Sequence, residues 1–443
     1  MGVFVNSGLG SQLVMVPEVY PSPGYGTVPS GLAGGSAQPY EFNSETLALT
    51  KTTVQGPGIH AGGLHNRSAR RVLTNYQVAG SITMDLPSRY LNQLLFQMFG
   101  SKAQSGAALL QDATTGAYTG VHGPGTLQGT SMCIQKGVAS VDGTAANPFT
   151  YVGMKMTDWE ISVATGAIAS FVTNWDGRNE LAGAGNGDPL NGSVPALVGF
   201  NEAANNSVFH FRQATLYSGG TVGTAAIPNT TALGTPAFPA TNVQFLNTFG
   251  QLAAVAITGG TISSVKINGV QVGTGAGTYG VAAGNYISVT YTGSPTWTWF
   301  PGMTTVTGNT AAGNVKSANI KYAFHLDNTR FFLGSNGFKG EPIENNFRDI
   351  TGQFVVEWLN SEAMYNAFAA DTTTTLVLQF QGPVIGSGTD HSSLTLTIPQ
   401  VFLDGESPKV SGPAVVTQTV PFTGLEDGIN NPIQAQYWTL DSV

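Results

Sequence analysis

Charge is what this sequence most conspicuously lacks. Only 9% of its 443 residues are Asp, Glu, Lys or Arg, against roughly 25% in ordinary soluble domains. A surface so poor in charge suits a protein that packs against neighbours, since lone domains use charge to stay apart. The charges present sum to -8. That excludes a dedicated nucleic-acid binder, which needs a basic face to displace counterions. It leaves room for a wall along which phosphates slide without sticking. Cysteine is nearly absent too. Cys133 alone cannot form an internal disulfide, which favours folding in a reducing compartment. It stands in the run SMCIQKG and reads as a small buried side chain. No apolar run approaches the about 18 residues of a membrane span. The start, MGVFVNSGLG, has no Lys or Arg and no signal-peptide core. Asn6 occupies the place where a myristoylation site needs Ser or Thr. The expectation is a protein made in the cytoplasm and released, if at all, by lysis.

Recognisable chemistry is missing as well. GAGTYG (275–280) has dinucleotide-loop spacing, but VAAGNYISVTY follows it and reads as a strand. The phosphate-binding mechanism needs a helix N-terminus there. His60, His65, His122, His210, His325 and His391 lie in no metal-binding spacing. Asp158 and Glu160 share one face of a strand, as a glycosidase pair could. No second pair or aromatic platform accompanies them, so they read as a solvated edge. Four glycosylation sequons begin at Asn66, Asn191, Asn205 and Asn229, as chance allows in a Thr/Asn-rich chain. The sequence predicts no catalysis, no cofactor and no metal.

What is present is glycine, 58 residues of it, and β pattern. The stretch 157–177 alternates Ile161 and Val163, turns at Ala164-Thr165-Gly166, and alternates again at Ile168, Ser170 and Val172. That is a hairpin with one buried face. Residues 318–337 read as a second hairpin turning at Asp327-Asn328. Residues 375–382 and 393–405 read as strands. Two helices are expected. Residues 87–101 start at Pro87 and Ser88, carry the stripe Leu91, Leu94, Leu95 and Met98, and stop at Gly100. Residues 360–371 have Asn360 as cap and Ala363, Met364, Ala367 and Phe368 as stripe. The two contexts match. Gly80, Ile82, Met84, Asp85 and Leu86 align with Gly352, Phe354, Val356, Glu357 and Trp358, an internal pseudo-repeat of strand, corner and helix. Residues 219–315 interrupt this pattern. Gly/Thr/Ala/Pro-rich linkers bound a set of short strands with Asn268-Gly269 as a hairpin turn, which reads as a small immunoglobulin-like sandwich inserted in a loop. The expected fold is mainly β: residues 1–218 and 316–443 form one domain, with one or two flanking helices, around the insert.

The segment 45–76 is the most informative. Two β-prone arms flank a Gly-rich tip, and Arg67, Arg70 and Arg71 cluster on the return arm, with Lys51 on the outgoing one. A hairpin with so little to bury itself against reads as an arm that completes its packing on another subunit.

This stretch, continued through YQVAGSITMDLPSRYLNQLLFQMFG to residue 100, resembles the tail tube proteins of siphophages infecting actinobacteria and related hosts. MGVFVNSGLGSQLVMVPE, residues 149–180, FFLGSNGFKGEPIENNFRDITGQFVVEW and LTIPQVFLDGESPKVSGPAVVTQTVPFTGLEDG extend the resemblance. It implies hexameric rings stacked into a hollow tube, sheets closing into one β-barrel around the lumen, and a hairpin reaching the next ring. It implies as partners other copies of the chain, a tape-measure protein, tail terminator and distal tail proteins, and phage DNA in transit, with no membrane insertion. The protein would be assembled in the host bacterial cytoplasm and reside in the virion tail. Asp158, Glu160 and Asp176 become candidates for acids facing the lumen. The rival reading is a virion-surface or secreted glycan-binding β-sandwich protein, with Trp297 and Trp299 of TWTWF as its platform.

Overall fold

The computed structural model describes residues 8, 10–19, 24–32, 37–100, 109–139, 146–182, 195–199, 207–358, 363–405, 407–410 and 412–441. The protein is mainly β. Its first half runs β1 (Gln12–Val19), β2 (Gln38–Tyr40), β3 (Ser44–Glu45), β4 (Ala48–Gln55), β5 (Arg71–Asp85), α1 (Asn92–Phe99), β6 (Leu110–Gln111), β7 (Tyr118–His122), β8 (Thr130–Ala139), β9 (Ala146–Ala164), β10 (Ser170–Gly177) and β11 (Asn179–Ala182). After β12 (Ala214–Ser218) come β13 (Thr221–Ala226), β14 (Gln244–Leu246), β15 (Ala253–Thr258), β16 (Thr261–Ile267), β17 (Val270–Gly273), β18 (Gly277–Val281), β19 (Tyr286–Thr292) and β20 (Thr296–Thr307). The chain ends with β21 (Thr310–Ala311), β22 (Val315–Ala323), β23 (Leu326–Asp327), β24 (Ile343–Glu344), β25 (Asp349–Glu357), α2 (Ala363–Ala369), β26 (Thr374–Val384), β27 (His391–Leu403), β28 (Thr417–Gly424) and β29 (Gln434–Thr439).

The second half repeats the first. β1 pairs with β2 and β8, as β12 pairs with β21 and β26. β5 lies between β4 and β10, as β25 lies between β22 and β28. β9 takes β8 and β11 on its N-terminal part and β10 beyond, as β27 takes β26 and β29 and then β28. The equivalent strands follow one another in the same chain order. Registers agree as well. Ser170 faces Asp85 and Trp175 faces Gly80; Thr417 faces Glu357 and Phe422 faces Gly352. One bulge separates Met132 from Ile134 opposite Met154 and Tyr151, and its counterpart separates Thr374 from Leu376 opposite Val401 and Ile398. Bulges re-aim a strand at a chosen place, so two at matching places mark one architecture used twice. The aligned Ile82, Met84, Phe354 and Val356 are all buried.

β9 also pairs with β22. The strands β4, β5, β10, β9, β22, β25 and β28 therefore form one continuous antiparallel sheet, curled as a half-barrel. α1 packs beneath it and cements the two halves. Trp159 donates its indole N–H to Met98 O at 2.8 Å, and its ring lies 5.7 Å from Phe99 and 5.8 Å from Tyr322 of the second half.

Between β12 and β21 the chain builds two four-stranded sheets, β13-β20-β15-β18 and β14-β19-β16-β17. They enclose a core of their own that includes Val255, Ile257, Val265, Ile287 and Val289. The chain enters through Gly219 and Gly220, both at positive φ. A Cβ on Gly220 would come within 2.8 Å of Asn309 N in the exit linker between β20 and β21, so the two linkers can run side by side only with glycine there.

Three local expectations fail. No hairpin turns at Asp327-Asn328: β22 pairs with β9 and β25, and residues 324–348 form a long connection whose β23 and β24 pair briefly. The buried alternation Ile320, Tyr322, Phe324 ends there, and Phe332 and Leu333 are exposed, so FFLG had no core face to supply. α1 begins at Asn92 rather than after Ser88. The Ser88 backbone N–H donates to Ser207 O. Tyr90 sits at φ 56, held by its N–H donating to Asp441 at 2.9 Å. The chain is still turning where a helix start was expected. α1 is also buried on its polar side, at Asn92, Gln93 and Gln97. The expected cap of the second helix, Asn360, lies outside the described residues, as do Asn191 and Asn205.

Candidate assembly surfaces

The curled sheet has one apolar and one polar face, because side chains alternate along each strand. On β9, Trp159, Ile161 and Val163 are buried. Asp158, Glu160 and Ser162 point the other way. Register carries this face across the sheet: Glu160 lies between Val172 and Lys321, and Asn319 between Ser162 and Gln353. The carboxylates are held by amides and one lysine. Asn174 donates to Asp158 at 2.8 Å, Asn319 donates to Glu160 at 2.8 Å, and Lys321 Nζ is 3.7 Å from Asp158. Lys316 pairs with Glu357 at 2.8 Å. With Asp85, the face carries more acid than base among Ser, Thr and Asn. It is a polar surface on which, among the described residues, Lys316 and Lys321 each stand beside a carboxylate.

Asp176 is not part of that surface, against expectation. It is buried and ion-paired with buried Lys339. Burial pushes its carboxyl pKa up, and Lys339 offsets this in part. By alternation Asp176 shares a face with Asn174. A bulge intervenes at Asn174/Trp175, and the 324–348 connection covers the region beyond it. Lys339 is followed by Glu341, which pairs with buried Lys155 at 2.5 Å and accepts the Gly129 N–H at 2.8 Å.

The second surface is the β4–β5 hairpin. Its strands pair from Ala48 with Ala79 to Gln55 with Arg71, and residues 50–73 are almost wholly exposed on both faces. Val54 and Val72 are more than half exposed, and Ile59 and Leu64 fully so. Apolar side chains left in water at a loop tip mark a contact surface. Lys51, Arg67, Arg70 and Arg71 are exposed and make no ion pair among the described residues. Arg70 lies over Gly58, where any larger residue would displace it. The base of the arm is fixed: the Tyr76 N–H donates to Gly337 O at 2.9 Å, and its ring stacks on Phe338 at 5.3 Å.

Trp297 and Trp299 form no glycan platform. They share a strand face, as expected, but that face is the sandwich core, where both are buried. The Trp297 N–H is used internally, donating to Pro236 O at 2.8 Å. GAGTYG falls on and just before β18, between strands. Cys133 is buried, which raises its thiol pKa well above the ordinary value. Sequence reasoning missed Glu18, buried and surrounded by donors: the N–H of Gly153 at 2.6 Å, the N–H of Gly26 at 3.0 Å and the Ser131 hydroxyl. Burial pushes its pKa up to about 7, against those hydrogen bonds. A lone Glu in the apolar run QLVMVPEV was the available signal.

No curated protein matches the chain. Residues 264–424 match the family model of the phage tail tube protein, a stretch running from within β16 to the end of β28 and so covering most of the second repeat. That match, on a mainly β chain with a curled half-barrel sheet, supports identifying the chain as a phage tail tube protein.

Proposed function

We propose that this chain is the structural subunit of a long-tailed phage's tail tube, forming stacked rings that enclose the conduit for the genome. The observation that carries this reading is the family match over residues 264–424. The chemistry agrees with it. A half-barrel sheet with a polar, mildly acidic face gives a lumen wall that repels phosphate and offers hydrated Ser, Thr and Asn instead of cations. Asp158 and Glu160 belong to that wall. The arm, with its free arginines and exposed Val54, Ile59 and Leu64, docks on the neighbouring ring. Tape-measure, terminator and distal tail proteins are the further partners, and assembly takes place in the host cytoplasm. The two repeats build the wall, and residues 219–309, the sandwich between β12 and β21, stand apart from it as decoration. No helix of the described residues is long and apolar enough to cross a membrane.

Negative-stain microscopy of the purified chain tests the proposal. Stacked rings with a central channel are expected; monodisperse monomers at high concentration would overturn it. Deleting 219–309 with a short linker should leave tube formation intact. Loss of tubes with a folded remainder would make the sandwich part of the wall.

A further inference from the structure

The duplication says how one chain should meet the next. Within the chain, the first repeat joins the second where the C-terminal part of β9 pairs with β22, Glu160 opposite Lys321 and Val163 opposite Ala318. The counterpart of β22 in the first repeat is the β3–β4 stretch: Lys321 faces Thr351 as Ala48 faces Ala79, and Ala318 faces Phe354 as Glu45 faces Ile82. Among the described residues, β4 pairs only with β5, and its outer edge is open. The counterpart of the C-terminal part of β9 follows β27. Val401 occupies the place of Met154, and Ser407 lies as far beyond Val401 as Glu160 lies beyond Met154. Residues 407–410 are in no strand. β28 pairs with β25 along its length but meets β27 only from Phe422 onward. The first repeat has a strand here because β22 is beside it. Among the described residues, the second repeat has no β22 equivalent.

We infer that a second copy of this chain supplies it: the outer edge of β3–β4 pairs with residues 407–410 of the neighbouring chain, in the register of the β9–β22 junction, with Ala48 opposite Ser407 and Glu45 opposite Val410. This is strand addition at an open edge, templated by an interface the molecule already contains. It rests on the tail tube reading and fixes the number of chains per ring. Each chain contributes seven strands to the curled sheet and gains an eighth at the junction. Strands lie about 4.8 Å apart. Three chains close a wall about 37 Å across, or about 48 Å once the strands tilt by about 40°. That admits one duplex, about 20 Å wide, with its hydration and side chains. Six chains, the number the family resemblance implied, would double the width and leave room for several duplexes. The ring holds three chains and six repeats.

The test is disulfide trapping in assembled tubes of the double variant A48C/S407C. Both positions are exposed in the single chain, and Cys133 is buried. Mild oxidation should shift most chains on a non-reducing gel into covalent dimers and trimers, ending at three. Neither single variant should do so. A ladder continuing to six chains overturns the ring size, and tubes without cross-links overturn the junction. If the variant does not assemble, averaged images of wild-type tubes decide: three-fold rings with pseudo-six-fold density support the proposal, and strict six-fold rings of whole chains overturn it. If the wild-type chain forms no tubes, the tail tube reading itself fails.

Discussion

The two repeats diverge most where their equivalent connections leave the sheet. Between β4 and β5 the chain makes a projecting hairpin whose Arg67, Arg70 and Arg71 have no ion-pair partner among the described residues. Between β22 and β25, at the matching place, residues 324–348 fold back onto the first repeat, and beside the Tyr76 contacts with Gly337 and Phe338 the segment is held by ion pairs. Lys339 reaches Asp176, Glu341 reaches Lys155, and Arg348 pairs with Glu344 at 2.6 Å. The same topological position has become an outward arm in one repeat and an internal strap in the other. Charge decides between them. A connection whose charges are matched by its own chain is held down, and one whose charges are unmatched is left for a neighbour.

The largest effect expected from disturbing this contrast comes from the strap. Lys339→Met would leave Asp176 buried without its cation. Removing one partner of a buried pair costs about 3–5 kcal/mol. Chemical denaturation should show that loss, and the double change K339M/D176L should recover most of it. If K339M alone is neutral, the pair does not hold the strap and the contrast fails.

Next in size is a pH effect confined to the first repeat. Glu18 is raised to about 7 by burial, and β12, the counterpart of β1 in the second repeat, has the sequence ATLYS and carries no acid. Below about pH 4.5 the carboxyl is protonated in both folded and unfolded chains. Between there and about pH 7 only the unfolded chain releases its proton, so folded stability falls as pH rises and then levels. The fall is on the order of 3 kcal/mol at most. Glu18→Gln should flatten that slope in urea titrations across the window. An unchanged slope would assign it to another group.

The glycines test the equivalence itself. A Cβ on Gly80 would lie 2.6 Å from the Leu47 backbone, and one on Gly352 would strike Asn319 O and the Phe422 ring. Gly80→Ala and Gly352→Ala should each destabilise by about 1–3 kcal/mol through overpacking. A loss at only one of them would mean that the repeats use their glycines differently.

How much of this could be read beforehand follows from the range of each signal. The β9–β10 hairpin was legible because Ile161, Val163 and Gly166 sit within a few residues of one another, but its return strand was read one residue out: Ile168 is exposed, and Phe171, Thr173 and Trp175 take the buried face in place of Ser170 and Val172. The Gly80/Gly352 match was legible because it lies in one short window. The rest of the duplication was not. Its strands share registers and bulges, which pair residues far apart in sequence, while the side chains have drifted: Met132 stands where Thr374 does, and Trp175 where Phe422 does. Asp158 and Glu160 were placed on the polar face by alternation alone. Asp176 was misplaced because its partner, Lys339, comes from the strap. Trp297 and Trp299 were placed on one face correctly, but alternation does not say which face is covered. That depends on Phe238 and Phe245, whose rings approach Trp297 within 4.5 Å and 5.1 Å.

The arm should give the smallest effect on folding and the clearest on assembly. Replacing Arg67, Arg70 and Arg71 together with Glu alters exposed side chains that stabilise nothing in the single chain. Denaturation midpoints should move by no more than about 0.5 kcal/mol in free energy. The same variant places three negative charges where the neighbouring ring would present an acidic or carbonyl-rich acceptor, and juxtaposed like charges disfavour docking. Tubes measured by electron microscopy should be short or absent, and wild-type tubes should shorten as salt rises, because exposed pairs are screened. Tubes of unchanged length and yield from the triple variant would remove the arm from stacking. A loss of folding stability as large as that of K339M would show that the arm, like the strap, is held by its own chain, and the contrast between the two connections would collapse.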